Sequence, residues 1–533
     1  MKIMKKQRFA VKLAAMLFAS AAVLTVEPVY AAEVSQEHVS KPSTTSVSID
    51  EKHFPDKNFR QFVKAQFDTD EDGVLSEGEI SLVTALNIQY EKENGVVIWK
   101  GHTLDYVYKN DRDTYDGISM DFTGLEIFSS LKYLGIKNIE ANNLQLEKLP
   151  ELSQVNFAAM PKTAFDFTNC LALQEVGIIN TPLEYLYVNK SNLTCLIATN
   201  CQLKEIDLSS CRGLCDILLS DNKLTDVKVP EKNYSGEDWD FSNNQLTHLD
   251  LSNTFPEEVD ISGNPFNEIN SDTLKADGAV ISGLLASKLT KCKSFDVSHM
   301  RGLERLTASQ SLTEAIKIGQ QLKELRLSNL DHISVIDKTT IQAPADNKLE
   351  FLEVNNCTLT KLSTSQFSNL RELKAVGNQL LHLNISGNKK LSMLSLWDKT
   401  RGGNENLTTM IVDRSISKAC MDELNLVVKK TGGKITYLPQ KVTGLKAIHK
   451  TSTTLKLTFH AVPGASGYKI YDAVTGKCLS SASTQNGAKE ICKTITGLKA
   501  GEKRQYRVRA YVTIKGTKHY GKYSEIYTKS TGK

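Results

Sequence analysis

The apolar positions of this chain return at a fixed spacing. Leu193, Leu196, Ala198, Cys201 and Leu203 recur as Leu214, Ile217, Leu219, Asn222 and Leu224, then as Leu349, Leu352, Val354, Cys357 and Leu359, and again as Leu370, Leu373, Ala375, Asn378 and Leu380. A shorter copy runs from Trp239 and Phe241 to Asn244 and Leu246. The period is about 21 residues, which marks units that bury their apolar face only by stacking on one another. The alternation inside each copy predicts a short strand, then a sharp turn where an inward Asn or Cys satisfies backbone groups of adjacent coils. A second half-repeat (Leu203 to Leu208, Leu246 to Leu251, Leu380 to Ile385) returns the chain and supplies the other wall of the core.

Strand centres are expected near residues 134, 155, 176, 196, 217, 240, 260, 306, 325, 352, 373, 394 and 410, about a dozen coils. Phase is lost between 265 and 300, where Ala279 to Ser282 suggests an irregular coil. Met421, Leu424 and Val427 at helical spacing, followed by Ile435 to Leu438, read as a terminal cap, which a stack needs to close its core to water.

The other end carries a different signal. Residues 68–79 place carboxylates at loop positions 1, 3, 5 and 12 and glycine at position 6, the pattern that wraps Ca2+ in oxygen ligands. Asp68, Asp70, Asp72, the Val74 carbonyl, Ser76 and bidentate Glu79 are the expected ligands. Phe59, Phe62, Val63 and Phe67 before the loop, and Ile80, Leu82, Val83 and Leu86 after it, predict flanking helices. One structural Ca2+ is expected, in a helix-loop-helix cap over residues 51–92. A second acidic stretch, Asp111 to Gly117, sets its third acid and glycine one place late and is rejected as a loop.

Residues 1–31 combine a basic start, an apolar run from Leu13 to Val26 and small residues at Ala31 and Ala32, a secretory signal followed by a Ser/Thr-rich linker over 32–50. No membrane span is expected after cleavage. Removing 1–31 leaves 60 basic and 60 acidic residues from totals of 65 and 61. Residues 439–533 hold 18 Lys and Arg against Asp472, Glu490, Glu502 and Glu525, so halves of opposite sign point to two partners. Cys201 and Cys357 fall at ladder positions and read as packed thiols; Cys478 and Cys492 either pair or remain thiols.

Outward strand positions line the concave face of such a stack. Asp216, Asp238, Asp240, Glu258 and Asp260 fall there on three consecutive coils, a negative row suited to a cationic patch on a partner. Arg305, Arg326, Phe351, Glu353, Lys374 and Trp397 continue it, with Trp397 the candidate aromatic anchor.

From Pro439 the pattern becomes short alternating strands with glycine-rich turns, which predicts a β-sandwich. Tyr468-Lys-Ile-Tyr471, Leu498-Lys-Ala-Gly501 and Tyr506-Arg-Val-Arg-Ala-Tyr511 resemble a bacterial fibronectin type III domain. Phe459 stands where that family has a core tryptophan, and Arg504 where it has a corner tyrosine. Alternation sets Lys503, Arg507 and Arg509 on the outer face, with Lys515, Lys518 and Lys522 on the next hairpin, a candidate site for an anionic cell-wall polymer.

Taken together the chain resembles secreted Gram-positive leucine-rich-repeat proteins of internalin-like type. The resemblance implies an α/β leucine-rich-repeat solenoid over 93–438 with an EF-hand-like N-terminal cap, followed by an all-β fibronectin type III sandwich over 439–533. It implies a non-catalytic, adhesion-type binder of an extracellular protein or glycan, with no nucleic-acid partner. The alternatives weighed beside it are a calcium-stiffened structural spacer and a cell-wall hydrolase. The hydrolase needs a catalytic constellation that the scattered His residues do not offer. No Leu-Pro-x-Thr-Gly sorting signal closes the sequence, so a secreted protein, released or held non-covalently at the surface, is expected.

Overall fold

The computed structural model describes residues 46–91, 96–99, 115–188, 192–230, 236–311, 314–398, 402–484 and 487–532. The signal sequence, most of the linker and much of the rejected acidic stretch lie outside them. The chain divides between Leu322 and Lys323 into two compact units. No helix among the described residues is long and apolar enough to cross a membrane.

The first unit opens with helix α1, Lys57–Phe67, whose N-cap Asp56 accepts hydrogen bonds from the backbone N–H of Asn58 and Phe59. Phe59, Phe62 and Val63 fall on its buried face. The acidic loop follows, and its short strand Val74–Leu75 pairs antiparallel with Val47–Ser48. Helix α2, Glu77–Leu82, starts at a capping box between Ser76 and Glu79. The helical spacing read through Leu86 holds only to Leu82, which is 78% exposed. Leu86 and Ile88 are buried at a period of two, so Ala85–Glu91 becomes the first parallel strand of the main sheet, alongside Tyr133–Lys137. The helical hand packs on the first coil through phenylalanines: Phe59 lies 5.1 Å from Phe122, and Phe67 lies 5.3 Å from Phe128.

Successive coils then add Gln154–Ala158, Glu175–Ile179, Cys195–Thr199, Asp216–Leu218, Gly236–Asp240, Pro256–Asp260, Gly283–Leu285 and Arg305–Thr307, all parallel. The coil expected to be irregular is instead long. It carries two second-wall strands, Glu268–Ile269 and Leu274–Lys275, before its main-sheet strand forms at Gly283, just past the stretch suspected from sequence.

The inward amides form the expected ladder. Asn244 donates to the carbonyls of Leu219 (2.9 Å) and Phe241 (3.0 Å) and accepts from Leu224 N–H (3.0 Å), so one side chain joins two coils. Asn222 and Asn264 repeat this on either side. Where the position is Cys201, a buried thiol meets the carbonyls of Ile178 and Thr199, and burial lifts it to about 12.

In the second unit the main-sheet strands are Glu324–Arg326, Phe351–Glu353, Glu372–Lys374 and Met393–Ser395. Asn378 and Asn404 continue the ladder, and buried Cys357 faces the Leu327 carbonyl with its thiol raised to about 11. The strand expected near 410 in the main sheet lies instead on the second wall. Thr409–Val412 pairs with His382–Asn384, placing Met410 beside Leu383, because the short turn after Gly403 carries the chain across the core first. Helix α3, Lys418–Thr431, closes the stack with Cys420, Leu424 and Val427 buried, and Lys434–Tyr437 pairs onto the second wall.

From Lys446 onward the strands form two antiparallel sheets. One is Lys446–Lys450, Leu455–His460 and Glu490–Ile495; the other is Cys478–Ser483, Gly467–Asp472, Lys503–Ile514 and Thr517–Tyr520, with Tyr527–Ser530 also on Lys503–Ile514. They share a core that includes Leu457, Phe459, Tyr468, Ile470, Tyr506 and Val508. Phe459 packs 5.1 Å from Tyr468, and Arg504 pairs with Glu502 and Asp472. Cys478 and Cys492 are exposed thiols and form no disulfide.

Asn244→Ala strands the Leu224 N–H and two carbonyls in the dry interior, so it should destabilise the stack by on the order of 3 kcal/mol. Chemical denaturation checks this against Gln245→Ala, an exposed neighbour expected to change little.

Candidate binding surfaces and metal centre

In the acidic loop, Asp68, Asp70 and Glu79 each bring one carboxylate oxygen within 4.8 Å of the others. Gly73, at φ +80°, makes the turn that draws them round one point, and its N–H donates to Asp68 Oδ2 (3.1 Å). Asp68 Oδ1 is buried and has no hydrogen-bond partner, and the donor set around it is all oxygen, which suits a hard cation. Glu79 is held from both sides: Thr69 donates its N–H and hydroxyl to Oε1 (both 2.6 Å), and Ser76 donates its N–H and hydroxyl to Oε2 (both 2.9 Å). These bonds, the Thr69 hydroxyl first, pull its carboxyl down to about 2. Two expected ligands stand apart in this geometry. Asp72 is exposed and accepts from Val74 N–H, while the Ser76 hydroxyl is engaged by the capping box. Nothing in the spacing pointed to Thr69.

On the main sheet of the first unit, outward residues form two registered rows. Asp238 faces Glu258, and Asp240 faces Asp260. Their backbones are turned by Asx bonds, Ser242 N–H to Asp240 (2.8 Å) and Ser262 N–H to Asp260 (2.9 Å). Asp216, expected beside them, is only 9% exposed and accepts from Asp238 N–H, so it supports the row from beneath and does not present a free surface. Earlier in the same rows Cys195 and Ile197 are buried as well. Past Gly283 the row ends on Arg305, which pairs with Glu257 (3.4 Å).

In the second unit the residues read from sequence as one row separate into two. Glu324, Phe351, Glu372 and Met393 share one; Arg326, Glu353, Lys374 and Ser395 share the other. The Phe351 ring lies between cations, Arg326 at 4.6 Å and Lys374 at 5.1 Å, and Met393 is 53% exposed. Trp397 is half-buried, not a projecting anchor. Gly403 lies against its ring, with no room for a Cβ, and Lys430 of α3 sits 5.7 Å over it.

The basic residues of the sandwich also divide. Lys503, Arg507, Arg509 and Lys518 share the outer face. Lys515 does not, because its ammonium lies 3.3 Å from His382 of the second wall. Burial, with Lys515 and Lys361 nearby, lowers the His382 pKa. Lys469 and three tyrosines join the outer face, which sequence reasoning missed although their alternation in Gly467–Asp472 and Thr517–Tyr520 carries the signal.

The parallel coils, their inward amide ladder and the two-walled apolar core make this part of the chain a β-solenoid. No protein-family model matches the sequence, and no curated protein matches it. Among solved structures the chain is similar to the functional domain of InlJ from Listeria monocytogenes, described as including a cysteine ladder (TM-score 0.33, 17% identity, 91% of this chain and 99% of that one). It is also similar to the LRIM1/APL1C complex (0.31, 17%, 55% and 59%) and to the leucine-rich repeat domain of APL1B (0.27, 14%, 61% and 85%).

The depressed Glu79 carboxyl stabilises the hand above the ordinary carboxylate range, and that contribution is lost as pH falls towards about 2. Without added metal, Glu79→Gln should melt below the parent protein at pH 6, and the two curves should converge only as the pH falls to about 2. Melting followed by circular dichroism across that range checks it.

Proposed function

We propose that this chain is a secreted, surface-associated, non-catalytic leucine-rich-repeat protein that recognises another extracellular protein in the manner of an adhesin. The observation that carries this reading is the register of Asp238 with Glu258 and of Asp240 with Asp260. Four carboxylates held at strand spacing on adjacent coils sum to a fixed negative potential, which steers and orients a partner with a cationic patch. Recognition of this kind requires no further constellation of residues, since the rigid strands supply the pre-organisation that keeps ordering costs low.

The hand at the start of the stack takes one Ca2+ in this reading, through Asp68, Asp70 and Glu79, with Asp72, Val74 and Ser76 completing the shell as the loop tightens. Its part is structural. It fixes the phenylalanine-packed cap on the first coil and does not signal. The C-terminal sandwich is taken as a fibronectin type III-like domain, and residues 1–31 as an export signal.

Reversing the four acids to Lys should weaken capture of the cognate extracellular protein by at least about a hundredfold, because like charges brought together across an interface cost several kcal/mol. Binding kinetics against a panel of extracellular proteins measure it. Undiminished binding removes this row from the account, and no saturable partner for the parent protein leaves the spacer reading in its place. For the metal, Ca2+ at about 100 times its Kd should add about 2.7 kcal/mol to the unfolding free energy of the hand. Asp68→Ala should abolish that gain in calorimetry, and an unchanged midpoint in the parent protein ends the calcium reading.

A further inference from the structure

We infer that the outer face of the larger sheet of the sandwich is a binding site for a linear phosphodiester polymer. On Lys503–Ile514, Tyr506, Val508 and Ala510 point into the core, so Lys503, Gln505, Arg507, Arg509 and Tyr511 point out. On Gly467–Asp472, Tyr468 and Ile470 point in, and Lys469 and Tyr471 share the outer side. Register sets Lys469 beside Arg509, Tyr471 beside Arg507, and Tyr520 beside Tyr511. No outward position of these strands carries a carboxylate. All four acids of residues 439–533 are engaged elsewhere: Asp472 and Glu502 with Arg504, Glu525 with Lys441, and Glu490 with the Thr458 hydroxyl.

The cations of this face are held by rings. Arg509 lies 3.9 Å over Tyr520 and 4.7 Å over Tyr523, and it donates to the Tyr471 hydroxyl (2.9 Å). Arg507 lies 4.0 Å over Tyr523, and Lys518 lies 4.8 Å over Tyr511. Stacking fixes long side chains that otherwise lose rotamer entropy on binding, so these charges are pre-organised. The Arg507 Nε–H is shielded and has no acceptor within the protein, an unmet donor on an otherwise cationic surface.

The same rings argue against other ligands. Tyr511, Tyr520 and Tyr523 each already carry a cation over a face, so they offer little to a stacking base or sugar. Recognition falls to charge and guanidinium forks, which suit the paired unesterified oxygens of a phosphodiester. Successive outward side chains on one strand stand about 7 Å apart, so the cations form a line, not a single pocket. The opposite side of the Thr517–Tyr520 hairpin is turned to the repeats, where burial, with Lys361 nearby, lowers the His519 pKa. The face is therefore distinct from the repeat rows of the proposed function and does not depend on them.

The test uses the full chain with a soluble poly(glycerol phosphate) in fluorescence anisotropy. Binding is expected to weaken steeply with salt, as counterions released on binding are returned. Lys469→Gln/Lys503→Gln/Arg507→Gln should lose at least tenfold in affinity. Lys515→Gln, on the far side of the hairpin, should match the parent. If the triple variant melts early, Lys469→Gln/Lys503→Gln should still lose several-fold. Parent-like binding by these variants overturns the proposal, as does an equal loss in Lys515→Gln, which would indicate net charge alone. Tighter binding to polygalacturonate of equal charge overturns it in favour of a carboxylate polymer.

Discussion

The structure depends on one repeated interaction, a buried side-chain amide or thiol that meets the backbone of two coils at once. At each turn out of the main sheet the chain leaves carbonyls and N–H groups that neither wall can pair. Asn222, Asn244 and Asn264 in the first unit, and Asn378 and Asn404 in the second, each donate to carbonyls of two coils and accept an N–H of the preceding coil. Unmet, those groups would cost more than the turn could return from packing. Met, they fix the rise from coil to coil, and every outward side chain inherits that spacing.

Recognition is therefore a consequence of register. Asp238 and Glu258 are far apart in sequence yet directly opposed, because Trp239 and Val259 between their neighbours are core residues locked at the same depth. The same logic sets Phe351 and Met393 in one row with Glu324 and Glu372, and Arg326 and Lys374 in the next with Glu353. In the sandwich, alternation sorts Arg507 and Arg509 to the ringed outer face, while Lys515 past the strand's end turns to His382.

Where sequence reading erred, a local pattern met a competing constraint. Leu82 to Leu86 fits a helix, but Leu86 and Ile88 also fit a strand, and the open edge of the sheet decided for the strand. Met410 has the apolar neighbours of a main-sheet strand, but the coil's path brought it to the second wall. Asp216 is polar at an outward position, yet its surroundings close over it.

The sequence by itself determined what is periodic or stoichiometric: the coil repeat, the ladder positions, the acidic loop with its glycine, the change to two-residue alternation after Pro439, and the opposite charge of the two regions. These are legible because burial selects residue type one position at a time. Only the tertiary structure decided which outward residues are accessible, which cations lie on tyrosines, that Thr69 holds Glu79, and that Cys478 and Cys492 do not bond. Such pairings join residues brought together by packing, and no local spacing encodes a contact whose partner is set by the depth and register of another strand.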